Sequence, residues 1–134
     1  MNGQQLAGFR NIAFSALGLI LAAYAVGVLA TGRPDPVSPL VPSLAGIIVA
    51  CLVSATAWLS RKGAAGIAWD EQVRSTWKSA LRGGYWVAVW LYAVFGLALY
   101  NDLVTFPQAF AAMGTLTGAA PFLFFLIAWL RGRV

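Results

Sequence analysis

The chain has 134 residues, 60% of them apolar and only 10% charged, with a net charge of +5 and a mean hydropathy of +0.78. A soluble domain carries about a quarter charged residues and about half apolar ones, so this composition excludes an ordinary water-soluble fold and places most of the chain against lipid. Histidine is absent, which removes the usual zinc and haem ligand and the usual general base.

A bilayer crossing takes about 20 mostly apolar residues, and four stretches meet that requirement: 12–31, 39–60, 85–103 and 106–130. The first, "IAFSALGLILAAYAVGVLAT", is longer than the apolar core of a secretory signal, about 7–15 residues, and only Arg10 precedes it. It is therefore expected to be a retained span. The next connection, "TGRPDPVSPLVP", carries four prolines and should cross as an extended, semi-rigid strap. Ser38-Pro39 then reads as an N-cap with proline at the first helical position. Cys51 is the only cysteine, so no intrachain disulfide forms, and it reads as a small buried hydrophobe in the second span. The link "NDLVTFP" is short enough to make the third and fourth spans antiparallel neighbours. No charged residue lies in the interior of a span; Asp102 stands at the edge of the third. The fold class expected is an all-α integral membrane protein, a single four-helix bundle over 1–134.

Orientation follows from counting Lys and Arg. With four spans, the N-terminal arm, the second loop and the tail share a side and hold eight of the nine basic residues; the other side holds only Arg33. Such bias marks the cytoplasmic face, so both termini are expected inside, in a bacterial inner membrane. Trp58, Trp86 and Trp129 fall at the same ends of their spans, where indole rings favour the headgroup layer.

Helices associate in lipid through small residues that let backbones approach. The second span offers Gly46, Ala50 and Ser54 at every fourth position, and the fourth offers Gly114 and Gly118 as a G-x-x-x-G pair. Two readings of the glycine pair stand: a contact within the bundle, or the seam of a homodimer. Pro121 lies mid-span and should kink the fourth helix, with the Thr117 hydroxyl placed to satisfy local backbone. Transporters and pumps keep ionisable groups inside the membrane, and these spans hold only polar side chains such as Ser15, Tyr24, Thr56, Tyr92, Gln108 and Thr115. No set of nucleophile, base and orienting group can be assembled. An enzyme is not expected, and neither a cofactor nor a metal is.

Seven of the thirteen charged residues fall between Arg61 and Arg82, in the second loop. On a helical wheel Trp69, Val73, Trp77, Ala80 and Leu81 share about a third of a turn, while Arg74, Lys78 and Arg82 form a row on another face. Asp70 and Glu71 stand at i, i+4 and i, i+3 to Arg74 and are expected to pair with it. The segment 68–84 therefore reads as an amphipathic cytoplasmic helix, hinged at "GAAG" (63–66) and bent at Gly83-Gly84. Its basic row suits anionic lipid at about 1 kcal/mol per residue. Its Trp69, Asp70, Glu71, Val73 and Trp77 suit docking of a soluble partner, with tryptophans as anchors. Direct nucleic-acid contact is not expected, because no such module accompanies three basic residues.

Asp70-Glu71 in the loop before the third span, together with the layout of spans, resembles a group of small bacterial and archaeal four-span membrane proteins of unknown function. These carry an Asp-Glu-Arg motif in that loop; here Gln72 replaces the arginine and Arg74 follows two positions later. The resemblance implies a small helix-turn-helix regulator as partner. The function expected is that of a non-enzymatic adaptor, regulatory or accessory subunit presenting residues 68–84; the alternative is a small channel or transporter subunit.

Overall fold

The computed structural model describes residues 2–59, 63, 66 and 69–132. The charges at 61, 62 and 133 and most of the expected 63–66 hinge lie outside the described residues. The rest is all-α, in four helices: α1 (Gly3–Thr31), α2 (Leu40–Leu59), α3 (Glu71–Tyr100) and α4 (Phe106–Leu130). α1, α3 and α4 are each long and apolar enough to cross a membrane; α2 is apolar but shorter, at 20 residues.

Local chemistry sets the helix ends. The Asn2 side chain accepts from the Gln5 N–H at 2.8 Å, and the Gln5 side chain accepts in return from the Asn2 N–H at 3.0 Å, closing a reciprocal cap on α1. α1 stops at Gly32, whose φ of 64° is left-handed and open to glycine without strain. At α3 the Asp70 carboxylate accepts from the Val73 N–H at 2.9 Å. It acts as an N-cap, and no ion pair with Arg74 forms among the described residues; the backbone donor holds the carboxylate at the helix start. Pro107 occupies the first turn of α4, where a missing N–H costs nothing.

α1 packs along α4, α4 along α3, and α2 along α1; α2 and α3 scarcely meet. Two core clusters fix the directions. Tyr24, Val28, Phe95, Ala109 and Ala112 gather at one end, and Phe14, Val73, Ala80 and Phe125 at the other. Adjacent helices thus run antiparallel, as the short 101–105 link requires. The start of α1, the start of α3 and the end of α4 lie together, and bring Arg10, Arg74, Lys78, Arg82 and Arg131 to one end. At the opposite end the Gln108 side-chain amide donates to the Gly32 carbonyl, and the Tyr24 hydroxyl donates to the Pro34 carbonyl at 3.3 Å.

The outer surface is apolar: Ile12, Val26, Trp58, Trp90, Leu97 and Phe110 are each more than 60% exposed. Cys51, expected to be buried, is exposed on this surface too, because α2 touches the bundle along one side only. An apolar surface of this extent is what a membrane protein presents to lipid.

Packing gives the glycines roles that the sequence did not show. Gly83-Gly84 lies inside one helix that runs from Glu71 to Tyr100. A β-carbon on Gly84 would lie 2.7 Å from Pro121 Cγ, and one on Gly83 would lie 2.9 Å from Phe124 Cε2. The pair lets α3 and α4 approach. Gly46 and Gly114, expected to mark tight helix contacts, have no neighbour within 4 Å of where a β-carbon would stand, while Gly118 meets Leu21 Cδ1 at an ordinary 3.5 Å. The G-x-x-x-G pair is therefore split, with one glycine turned towards α1 and the other outward. α4 continues as helix through Pro121, and Thr115, not Thr117, returns its hydroxyl to the backbone, at the Ala111 carbonyl 2.8 Å away.

Candidate functional site

α3 has 30 residues, so at about 1.5 Å per residue it extends about 45 Å, well beyond a hydrocarbon core of about 30 Å. Its apolar part begins near Tyr85. The nearly four turns before it carry Glu71, Arg74, Lys78 and Arg82, and all four side chains are exposed. The opposite side of the same turns is covered by the bundle itself. Val73 and Ala80 are buried, and Trp69 and Trp77 half-buried, against α1 and α4.

Phe14 is the centre of that contact. Its ring centroid lies 5.2 Å from Trp77, 5.4 Å from Phe122, 5.7 Å from Phe125 and 6.0 Å from Trp69, mostly edge to face. Trp77 also meets Phe122 at 5.5 Å and Phe125 at 5.8 Å. Such pairs contribute about 0.5–1.5 kcal/mol each beyond the area they bury. The aromatic face that the sequence offered as a docking anchor is thus occupied by the protein's own α1 and α4.

Arg10 closes the cluster. It is 1% exposed, with its guanidinium carbon 5.1 Å from the Trp69 ring centre and 5.5 Å from that of Phe125. Its Nε and Nη2 donate to Asn11 Oδ1 at 3.0 and 2.6 Å, and the Asp70 carboxylate acts on it as a favourable opposite charge. A buried cation is tolerated when rings and acceptors replace water around it. The planar guanidinium does this for two rings at once, which a lysine ammonium does not. Asn11 is tied in turn, its backbone carbonyl accepting from the buried Ser15 hydroxyl at 2.7 Å. Arg10 therefore fastens the Trp69-Asp70 corner, where the loop enters α3, to the first and fourth helices.

Counting charge by loop gives Arg10 no role except orientation. The available signal is helical spacing: Leu6, Arg10, Phe14 and Leu17 share one face of α1, and all four are buried. The remaining expected packing residues, Gly46, Ala50 and Ser54, line a groove of about 260 Å³ between α2 and the aromatic cluster. Ala50 and Ser54 are exposed along this groove, and no described helix closes on it.

The sequence matches no family model, and neither the curated proteins nor the solved structures include one that it resembles significantly.

Proposed function

We propose that the protein is a non-enzymatic adaptor or accessory subunit of the bacterial inner membrane that presents the outward side of α3, residues 71–82, to a cytoplasmic protein. All four helices cross the bilayer in this reading, α2 included, since its 20 residues extend about 30 Å. Both termini and the α2–α3 loop are cytoplasmic, where the basic residues collect. One observation carries the proposal. The cytoplasmic turns of α3 are continuous with the span and clamped by their aromatic face, so Glu71, Arg74, Lys78 and Arg82 are held outward on a rigid rod.

Rigid presentation lowers the ordering cost of binding, and a charged surface steers an oppositely charged partner. The surface fits an acidic patch on a soluble protein, and the resemblance carried by Asp70-Glu71 suggests a small DNA-binding regulator as that protein. Site-specific photo-crosslinking in cells tests it. A photoreactive side chain at Lys78 or Arg82 should give a discrete heterologous adduct, while one at Ala80 should crosslink only within the chain. Adducts with lipid alone at 78 and 82 would refute the adaptor reading.

A further inference from the structure

We infer that the cleft between α3 and α4 is a binding site for one anionic glycerophospholipid, drawn from the leaflet at the basic end. The cleft has two parts. Near the start of α3 a pocket of about 400 Å³ is lined by Ser75, Thr76, Ser79 and Gly83 from α3, and by Phe124 and Arg131 at its α4 side. Deeper along the same helices lies a groove of about 270 Å³, walled by Val87, Leu91, Leu116 and Leu123, whose exposed lining is almost wholly apolar. Phe124 and Ile127 form part of both walls, so the polar pocket leads into the apolar groove.

The chemistry of the pocket suits a phosphate. Ser15, Thr31, Thr56 and Thr115 each bond back to the carbonyl four residues earlier. The hydroxyls of Ser75, Thr76 and Ser79 form no such bond and have no partner among the described residues, so three O–H donors stand free on one side of α3. Arg131, at the C-cap of α4, likewise has no side-chain partner among the described residues and offers a planar fork of donors. Among the described residues no carboxylate lines this pocket. The neighbouring basic surface differs on that point: Arg74 and Lys78 share theirs with Glu71. An anion is therefore favoured in the α3–α4 cleft over the face assigned above to a protein.

The apolar groove decides for a lipid over a soluble phosphate. From Ser79 to Leu91 α3 rises about 18 Å, roughly one leaflet of hydrocarbon. A headgroup at Ser79 thus places an acyl chain along the whole groove. The contact of Gly83 and Gly84 with Phe124 and Pro121 fixes the floor between the two helices, so the cleft is built into the fold. The inference rests on the helices spanning the membrane as proposed, and not on the adaptor role.

The test uses the full-length protein in nanodiscs of zwitterionic phosphatidylcholine, with phosphatidylglycerol titrated in and bound lipid counted by native mass spectrometry. Insertion into the discs, scored separately by size exclusion, reports on the spanning reading alone. One phosphatidylglycerol per chain is expected at saturation, with phosphatidylcholine at least tenfold weaker. Arg131→Gln should weaken binding about tenfold, as should the combined Ser75→Ala, Thr76→Val and Ser79→Ala variant. Arg74→Gln with Lys78→Gln, which removes twice the charge outside the cleft, should change it less than threefold. Equal loss from that pair would overturn the inference in favour of general surface electrostatics. Full competition by millimolar inorganic phosphate would also overturn it, in favour of a soluble anion site. So would equal retention of phosphatidylcholine, or a second copy of the chain filling the cleft so that no lipid is retained.

Discussion

Arg10 lies over Trp69, its guanidinium carbon 5.1 Å from the ring centre, and so ties the first turns of α1 to the corner where the chain enters α3. Desolvated cation–π contacts contribute about 2 kcal/mol. Arg10→Ala should therefore lower stability in detergent by about that amount and speed hydrogen exchange at the amides of residues 71–77. Arg10→Lys should recover less than half of the protection, because a compact, strongly hydrated ammonium is a poorer partner for two rings than the delocalised guanidinium. Unchanged exchange in Arg10→Ala would remove the clamp from the account.

Trp77 meets Phe14, Phe122 and Phe125, so truncating it removes core. Trp77→Ala should cost about 3–5 kcal/mol, read as a fall in the thermal midpoint of the solubilised protein. Lys78→Ala, on the exposed side, should stay within about 0.5 kcal/mol. The two residues adjoin in sequence, and the contrast separates fold from surface.

Gly84 and Gly96 lie on the same helix with opposite surroundings. A β-carbon at 84 would stand 2.7 Å from Pro121 Cγ, whereas one at 96 would meet nothing within 4 Å. Gly84→Ala should destabilise by about 1–3 kcal/mol through overpacking, while Gly96→Ala should be neutral or stabilising by up to about 1 kcal/mol. Equal midpoints for the two variants would show that the close approach of α3 to α4 is wrong.

Gly114 faces outward. Gly114→Ile should change stability by no more than about 1 kcal/mol, read from the thermal midpoint, since an exposed apolar substitution creates neither void nor clash. If a homodimer uses this side of α4, the same variant should abolish crosslinked dimer in membranes. Unfolding instead would assign Gly114 to the interior.

Most of the architecture was legible in the sequence, because long apolar runs mark each helix by length and composition and short links impose antiparallel pairing. The helices, their order and the gathering of basic residues at one end all follow from that. The role of Gly83-Gly84 was not legible: two adjacent glycines read locally as a bend, and only the position of Pro121 and Phe124 turns them into a contact surface. Nor could the wheel tell whether Trp69, Val73 and Trp77 face a partner or their own bundle, since either burial satisfies an amphipathic helix. Arg10 was hidden for a related reason. A charge beside an apolar face counts as exposed unless aromatic rings elsewhere in the chain are known to close over it.

The first turns of α3 are docked aromatic side in and basic side out. Single cysteines in a Cys51→Ala background, labelled with a membrane-impermeant maleimide in inside-out vesicles, test it directly. Cysteine at 74, 78 or 82 should label at least tenfold faster than cysteine at 73 or 80. Equal rates at all five positions would mean that the segment lies free of the bundle, and would contradict the account.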